Sequence, residues 1–263
     1  MPSQTCLIAG PPGCGKTQWI LNRLKDHDGP SAYYRFEASS VPGLDTGGDT
    51  VIDQTWLLDQ IPHLQTDSKQ HSQTQQDKLN TLALIEVQQF QAAQPGEVKA
   101  IHPSVKKQLA ALNLHPERIH HFGIDPDLPS QDTLQFNRLE AWTLGLLDSV
   151  WDPNSLSSFW FELVNGAYGD VYRAKALMNL PDGRAFFCNW MVSQRESQFL
   201  PLQQVEPPTG RPQRQSQLVV QGKALNGEGI QTTIHDCLLS DEVLEMHHSQ
   251  LREQPIESTT TKE

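Results

Sequence analysis

The chain has 263 residues, which is enough for one large domain or two modest ones. Its 20 basic and 31 acidic residues give a net charge of −11, which argues against a broad binding surface for nucleic acid or an anionic membrane. No apolar run approaches the roughly 18 residues that a membrane span needs, and the first residues lack the pattern of a signal peptide, so we expect a cytoplasmic protein without a membrane span.

A glycine-rich loop follows the first predicted strand. The strand "TCLIAG" (5–10) leads into "GPPGCGKT" (10–17), and a helix is predicted over 15–27. This order of strand, G-x-x-x-x-G-K-[ST] and helix is the P-loop, or Walker A motif, which binds phosphates. Lys16 would reach the β and γ phosphates of a nucleoside triphosphate, GTP or ATP, and the Thr17 hydroxyl would hold Mg²⁺. The predicted nucleotide-binding residues are Gly10, Pro11, Pro12, Gly13, Cys14, Gly15, Lys16 and Thr17.

Strands and helices alternate through the first half of the chain. The predicted strands after the first are "SAYYRFE" (31–37), "LALIEV" (82–87), "VKAI" (98–101) and "RIHHF" (118–122). The predicted helices run from Asp49 or Thr50 to about Gln60 and over 103–113. Because this alternation is typical of a parallel sheet, residues 1–131 are predicted to form an α/β P-loop nucleotide-binding domain. The polar, low-complexity segment 65–78 is predicted to be a mobile insertion.

Two acidic residues are candidates for catalysis. Phosphoryl transfer needs a carboxylate that fixes Mg²⁺ and a group that orients the attacking water. Glu86 follows the apolar run "LALI" as a Walker B acid would and would hold Mg²⁺ through water; alternatively, it is a charged residue on a half-exposed strand. Asp45 opens "DTGG" in the loop 38–49, a D-x-x-G pattern typical of a switch loop at the γ phosphate, although Asp and Gly are also common in ordinary turns.

The sequence patterns of the second half of the chain predict a different arrangement of secondary structure. Leucine and tryptophan at near-helical spacing in 132–150 predict a helix, so we assign 132–154 to a linker helix between domains. Residues 155–250 are predicted to form a small α+β domain with a hairpin turn at Pro181-Asp182-Gly183 and closing helix after Gly229. Its strand-like runs are "FWFEL" (159–163), "DVYRAKALMNL" (170–180), "RAFFCNWM" (184–191) and "SQLVVQGKAL" (216–225). Residues 251–263 are predicted to be a disordered tail.

The two ends of the chain together resemble the CobW-type GTPases. That family combines such a loop with a C-terminal strand G-x-V-x-R-x-K-G and a later strand L-V-x-x-G-x-x-L. The first pattern is matched by Gly169, Val171, Arg173 and Lys175, with Ala176 in place of the last glycine, and the second by Leu218, Val219, Gly222 and Leu225. The resemblance implies GTP hydrolysis with Mg²⁺, a switch or metal-chaperone role, and a Zn²⁺-class cargo.

Two motifs of that family are missing. No C-x-C-C metal-binding motif is present, and the nearest string to the guanine-reading N-K-x-D is Asn137-Arg138-Leu139-Glu140, which lies inside the predicted linker helix and is otherwise a helix surface. The sequence therefore predicts less than about tenfold discrimination between GTP and ATP, or roughly 1.4 kcal/mol.

The histidines and cysteines give weak support for a metal site. His120-His121 lies on a predicted strand, where neighbouring side chains face opposite sides. His247-His248, with His235 and Cys237 upstream, have no regular ligand spacing. The sequence predicts no tight Zn²⁺ site in the N-terminal domain and at most weak binding through the C-terminal histidines.

Two functions follow from these patterns. The first is a GTPase-like NTP hydrolase that acts as a switch, whose C-terminal domain reports the nucleotide state to a protein client or metal cargo. The alternative is a catalytically degenerate P-loop scaffold that uses the C-terminal domain to bind a protein partner.

Overall fold

The structure is a computed structural model that describes most of the chain. The described residues are 4–37, 47–66, 81–88, 103–122, 125, 127–128, 139–194 and 196–253. Several predicted features lie outside them: Asp45 with most of its loop, residues 67–78 of the predicted insertion, the strand "VKAI", and Asn137-Arg138. None of the helices within the described residues is long and apolar enough to cross a bilayer.

The first half forms a four-stranded parallel sheet with the order β2-β3-β1-β4. Its strands are β1 (Gln4–Gly10), β2 (Ser31–Glu37), β3 (Leu82–Gln88) and β4 (Arg118–His121). Its helices are α1 (Lys16–Lys25), α2 (Gly47–Gln60) and α3 (Pro103–Ala111). The predicted strands and helices of the described residues are therefore present in the predicted order, and the parallel α/β fold is confirmed.

Helices cover both faces of this sheet. Ile8 of β1 packs with residues of α1 and with Leu57 of α2 on one face, whereas Leu7 packs with Val105 of α3 on the other. Strands buried on both faces are continuous apolar runs, which is why "LALI" in β3 shows no alternation. Because the strands are parallel, the carboxyl ends of β1 and β3 lie at the same edge, where the glycine-rich loop begins.

The second half forms a five-stranded antiparallel sheet with the order β5-β9-β6-β7-β8. Its strands are β5 (Glu140–Gly145), β6 (Asp170–Asn179), β7 (Ala185–Met191), β8 (Gln198–Pro201) and β9 (Gln217–Lys223). The helices are α4 (Pro153–Val164), α5 (Gly227–Cys237) and α6 (Asp241–Glu253). The predicted α+β character, the hairpin turn and the closing helices are confirmed.

Helix α2 lies between the two sheets. Ile52 and Trp56, one turn apart, pack against Leu177, Phe187 and Val219 of the antiparallel sheet. The rings of Trp56 and Phe187 stack with their centroids 4.9 Å apart. Leu57, on the neighbouring face of the helix, packs in the core of the parallel sheet. The opposite face of the antiparallel sheet packs against α4 and α5.

Three predictions of local structure are wrong. The predicted linker helix contains the strand β5 instead. Trp142 and Leu144 fit the two-residue period of a strand, in which alternate residues contact the core, as well as a near-helical spacing. The pairing of β5 with β9 stabilises the strand. "FWFEL" is helical: Asp152 caps α4, Pro153 occupies its first turn, and Leu156, Phe159 and Leu163 lie on its buried face. Residues 251–253 of the predicted tail belong to α6.

Candidate functional site

The glycine-rich loop has the backbone that its glycines allow. Gly13 and Gly15 have φ angles of 78° and 91°, in the left-handed region where a side chain is disfavoured. Gly10 is required for a different reason, because a Cβ there would lie 2.8 Å from Cβ of Phe122 and 2.9 Å from Sγ of Cys14. The loop is therefore tightly wound against β4 and leads directly into α1.

The side chain of Lys16 is buried inside the loop and contacts its backbone. Its side chain is 4% exposed, and its ammonium donates to the carbonyl oxygens of Gly10 at 3.0 Å and Pro11 at 2.8 Å. Its Nζ also lies 3.6 Å from Oε1 of Glu86. Both acceptors are neutral carbonyls, so an anion entering the loop would be a stronger acceptor for the ammonium.

Glu86 is buried at the end of β3. The residue is 2% exposed, and its carboxylate accepts a 2.7 Å hydrogen bond from the Tyr33 hydroxyl. Burial, with the negative charge of Glu86 second, raises the pKa of Tyr33 well above its usual value, so that the hydroxyl stays a donor. The alternative interpretation of Glu86 as a residue on a half-exposed strand is therefore wrong.

Asp53 of α2 joins three parts of the molecule. Its carboxylate, 2% exposed, accepts from the Thr17 hydroxyl at 3.0 Å and from Nη1 of Arg35 on β2 at 2.7 Å. It also forms an ion pair with the ammonium of Lys175 on β6. One carboxylate thus connects the phosphate loop, the parallel sheet and the antiparallel sheet.

A cavity of about 260 Å³ lies between the loop and the antiparallel sheet. On the loop side it is lined by Pro12, Gly13, Gly15, Lys16, Thr17 and Gln18, and Asp53, Trp56 and Glu86 lie on the same side. On the sheet side it is lined by Arg173, Lys175, Phe187, Asn189, Gln194, Gln198 and Leu200. The cavity has the glycine-rich loop on one side and cationic and amide side chains on the other.

Cys14 and the histidines do not form a metal centre with the described residues. Burial raises the pKa of the Cys14 thiol, with the lowering effect of Lys16 second, so the neutral thiol is favoured. The ring of His120 contacts that of Trp19 in a tilted arrangement, with the centroids 5.0 Å apart, and His248 is buried on α6. Within the parts of the chain that the structure describes, no group of three or more His, Cys, Asp or Glu could hold a metal ion.

The structure brings most predicted site residues together. Glu86 and five of the predicted loop residues line the cavity: Pro12, Gly13, Gly15, Lys16 and Thr17. Gly10, Pro11 and Cys14 do not line it, and Asp45 lies outside the described residues. Sequence reasoning missed the roles of Tyr33, Arg35 and Asp53, for which no motif exists. Arg173 and Lys175 were recognised only as part of the family pattern. Two cationic residues two positions apart in an otherwise apolar strand could have marked them as candidate site residues, because cations are seldom buried without a function or a partner.

Two solved structures are similar to the chain. One is a crystal structure of Zn(II)-bound YjiA GTPase from E. coli, 13% identical over 90% of this chain and 99% of that chain, with a TM-score of 0.33. The other is a Zn(II)-bound triple mutant of YjiA GTPase, 14% identical with the same coverage and a TM-score of 0.31. At these values the two structures say nothing about the ligands of this chain. No curated protein matches the sequence.

A family model matches the second half of the chain. Residues 146–238 match the cobalamin synthesis protein cobW C-terminal domain. The match spans β6 and β9, the two strands on which the resemblance in the sequence was noted. Residues 146–238 therefore match a cobW C-terminal domain, and the resemblance noted in the sequence is confirmed for this part of the chain.

Proposed function

We propose that the chain binds a nucleoside triphosphate with Mg²⁺ in the cavity beside the phosphate loop and hydrolyses it as a GTPase-like switch. The observation that supports this most strongly is the convergence on one buried cavity of Lys16, Thr17, Asp53 and Glu86. These are the side chains that phosphoryl transfer requires: a cation for the phosphates, a hydroxyl and a carboxylate for Mg²⁺, and a second carboxylate near the attacking water.

The loop binds the phosphates through its backbone and through Lys16. The backbone N–H groups at the amino end of α1 and the helix dipole favour an anion there. Lys16 exchanges its carbonyl acceptors for phosphate oxygens, and in doing so moves away from Oε1 of Glu86. Binding of the phosphates to Lys16 would thereby free Oε1 of Glu86 to accept a hydrogen bond from water.

The residues beside the loop fit Mg²⁺. The Thr17 hydroxyl and the Asp53 carboxylate lie 3.0 Å apart and would supply hard oxygen donors, and we expect Glu86, which lines the same cavity, to bind through water. When bound, Mg²⁺ neutralises the charge that develops on the β and γ phosphate oxygens. Glu86 and Asp45 remain the candidates for orienting the attacking water, with Glu86 favoured by its place at the cavity.

The alternative is a scaffold that binds nucleotide without hydrolysing it. One observation favours it: both carboxylate oxygens of Glu86 are engaged, one by Tyr33 and the other by Lys16. If Lys16 stayed in place, both oxygens would keep a partner, and Glu86 would be a weaker acceptor for a water molecule. In either case we expect the C-terminal domain to carry the nucleotide signal to a protein client, with little discrimination between GTP and ATP and no tight Zn²⁺ site in the first domain.

The test is a titration with fluorescent GTP and ATP analogues, with and without Mg²⁺, followed by single-turnover hydrolysis. Mg²⁺-dependent binding with turnover is expected. Lys16→Ala should weaken triphosphate binding far more than nucleoside binding, and Lys25→Ala, which removes an exposed lysine from the same helix, should leave both unchanged. Tight binding without turnover would favour the scaffold, and no binding would refute both functions.

A further inference from the structure

We propose that Arg173 and Lys175 contact the terminal phosphate, so that the cobW C-terminal domain completes the nucleotide site. The proposal rests on the proposed function, because it assigns residues to the same cavity. It concerns the side of the cavity opposite the phosphate loop, which the P-loop motif does not describe.

A β-bulge turns Arg173 toward the cavity. Val171 pairs with Gly222 and Arg173 pairs with Gln221, so Tyr172 is an extra residue in β6. Val171 packs in the core with α4 and α5, and without the bulge Arg173 would face that core too. After the bulge, Arg173, Lys175 and Leu177 share the face that looks toward α2 and the loop.

Both cations are buried at that face. Arg173 is 5% exposed and Lys175 is 3% exposed, with the fully buried Leu177 following on the same strand and the Phe187 ring 5.2 Å from the Lys175 ammonium. Burying two cations at one face is costly, and Asp53 is the anion that compensates Lys175. Packing alone would be served better by the aliphatic residues that occupy the rest of this face.

Each cation is held in position by a neighbour. Arg173 donates from Nη1 to the amide oxygen of Gln221 on β9, at 2.9 Å. Lys175 pairs with Asp53, on the same oxygen that accepts the Thr17 hydroxyl. Side chains fixed in this way lose little freedom when they bind a ligand, which favours their use as phosphate ligands.

The link through Asp53 indicates which phosphate these residues would contact. In a P-loop site the hydroxyl of the Lys-Thr pair would help to hold Mg²⁺ beside the terminal phosphates. Lys175 is separated from that hydroxyl by one carboxylate, whereas Lys16 approaches from the loop. Lys175 therefore lies on the γ side of the site, and Arg173 lies two residues away on the same face of β6. A diphosphate would leave that side empty.

The test compares triphosphate and diphosphate affinities. GTP, GDP, ATP and ADP are titrated with Mg²⁺ into the full chain and into Arg173→Gln and Lys175→Gln. We expect each substitution to weaken triphosphate binding at least about tenfold and to change diphosphate binding less than about threefold. Lys223→Gln, which removes an exposed lysine from β9 of the same sheet, should change neither.

The outcomes separate this proposal from the proposed function. A wild-type chain that binds no nucleotide refutes both. A wild-type chain that binds nucleotide, with an unchanged triphosphate-to-diphosphate ratio in Arg173→Gln and Lys175→Gln, refutes only the role of β6. Rescue of the ratio by Lys175→Arg would support a charge contact.

A second measurement uses the unmodified protein and so does not depend on the folding of a variant. A γ-phosphate azidoanilide of GTP or ATP is bound with Mg²⁺, irradiated, and its attachment sites are mapped by mass spectrometry. Attachment to the peptide that contains β6, displaced by excess triphosphate, is expected. Attachment confined to the phosphate loop and α1 would overturn the proposal.

Discussion

Replacing Asp53 by asparagine should destabilise the whole chain, because this carboxylate is the shared counter-charge of two buried cations. Asp53→Asn keeps the size of the side chain and an oxygen for the Thr17 hydroxyl, but it removes the charge that Arg35 and Lys175 contact. Breaking a buried ion pair from one side costs about 3–5 kcal/mol. For a chain of this length that corresponds to a fall in Tm of about 6–20 °C.

The assay is urea unfolding followed by tryptophan fluorescence, to which Trp56 contributes from the same helix. The matched control is Asp28→Asn, at an exposed position of the first domain, which should change the free energy of unfolding by less than about 0.5 kcal/mol. The double variant Asp53→Asn with Lys175→Met should be more stable than Asp53→Asn alone, because it removes one of the cations that lost its counter-charge. A double variant less stable than both single variants would refute the reasoning.

Four further predictions concern ligands and the helix cap. Thr17→Ala should abolish most of the Mg²⁺ dependence of triphosphate binding while Tm changes little, and an unaltered Mg²⁺ titration would contradict the role of the hydroxyl. GTP and ATP should compete for the site with affinities within about tenfold of each other, whereas a hundredfold preference would reveal a base-reading group outside the described residues. Calorimetric titration should find no submicromolar Zn²⁺ site in the first domain; one that is lost in Cys14→Ser would restore metal delivery as the function. Asp152→Ala should cost about 1 kcal/mol at neutral pH, because the Asp152 carboxylate caps α4. The backbone N–H of Ser155 holds the pKa of Asp152 below its usual value, so this stabilisation is present above about pH 4 and is lost as the pH falls further; a difference in stability that persists at pH 2 would count against it.

The sequence predicted the parallel sheet well because its signals are local. The apolar runs of β1 and β3, the turn after β1 and the start of α1 are each encoded within a few residues. The loop was found for the same reason, since its glycines and Lys16 are contiguous. Local signals of this kind do not depend on what the rest of the chain does.

The antiparallel half shows where local signals are insufficient. In β5, Trp142 and Leu144 are spaced for a strand and Leu139 with Trp142 for a helix, and only the pairing with β9 decides. In α4, "FWFEL" consists of residues common in strands, but the Asp152 cap and the packing of Phe159 and Leu163 against the sheet make it helical.

The same limitation applies to the candidate site. Asp53 became a candidate only when α2 was placed between the two sheets, where it contacts Thr17 across 36 positions of sequence and Lys175 across 122. No spacing rule connects residues so far apart. The bulge at Tyr172 could not be predicted either. The sequence of β6 has the pattern of a regular strand, and the bulge is defined only by its pairing with β9.

The position of α2 has a consequence for how the chain unfolds. Its Ile52 and Trp56 belong to the core of the antiparallel sheet, and its Leu57 belongs to the core of the parallel sheet. Neither half can lose its packing without exposing apolar surface that belongs to the other, so we expect a single cooperative melting transition, with no stable half-folded species. A nucleotide bound at the phosphate loop would then protect amide hydrogens of β6 and β9 from exchange as strongly as those of β1, although β6 and β9 pair in the antiparallel sheet and β1 pairs in the parallel sheet.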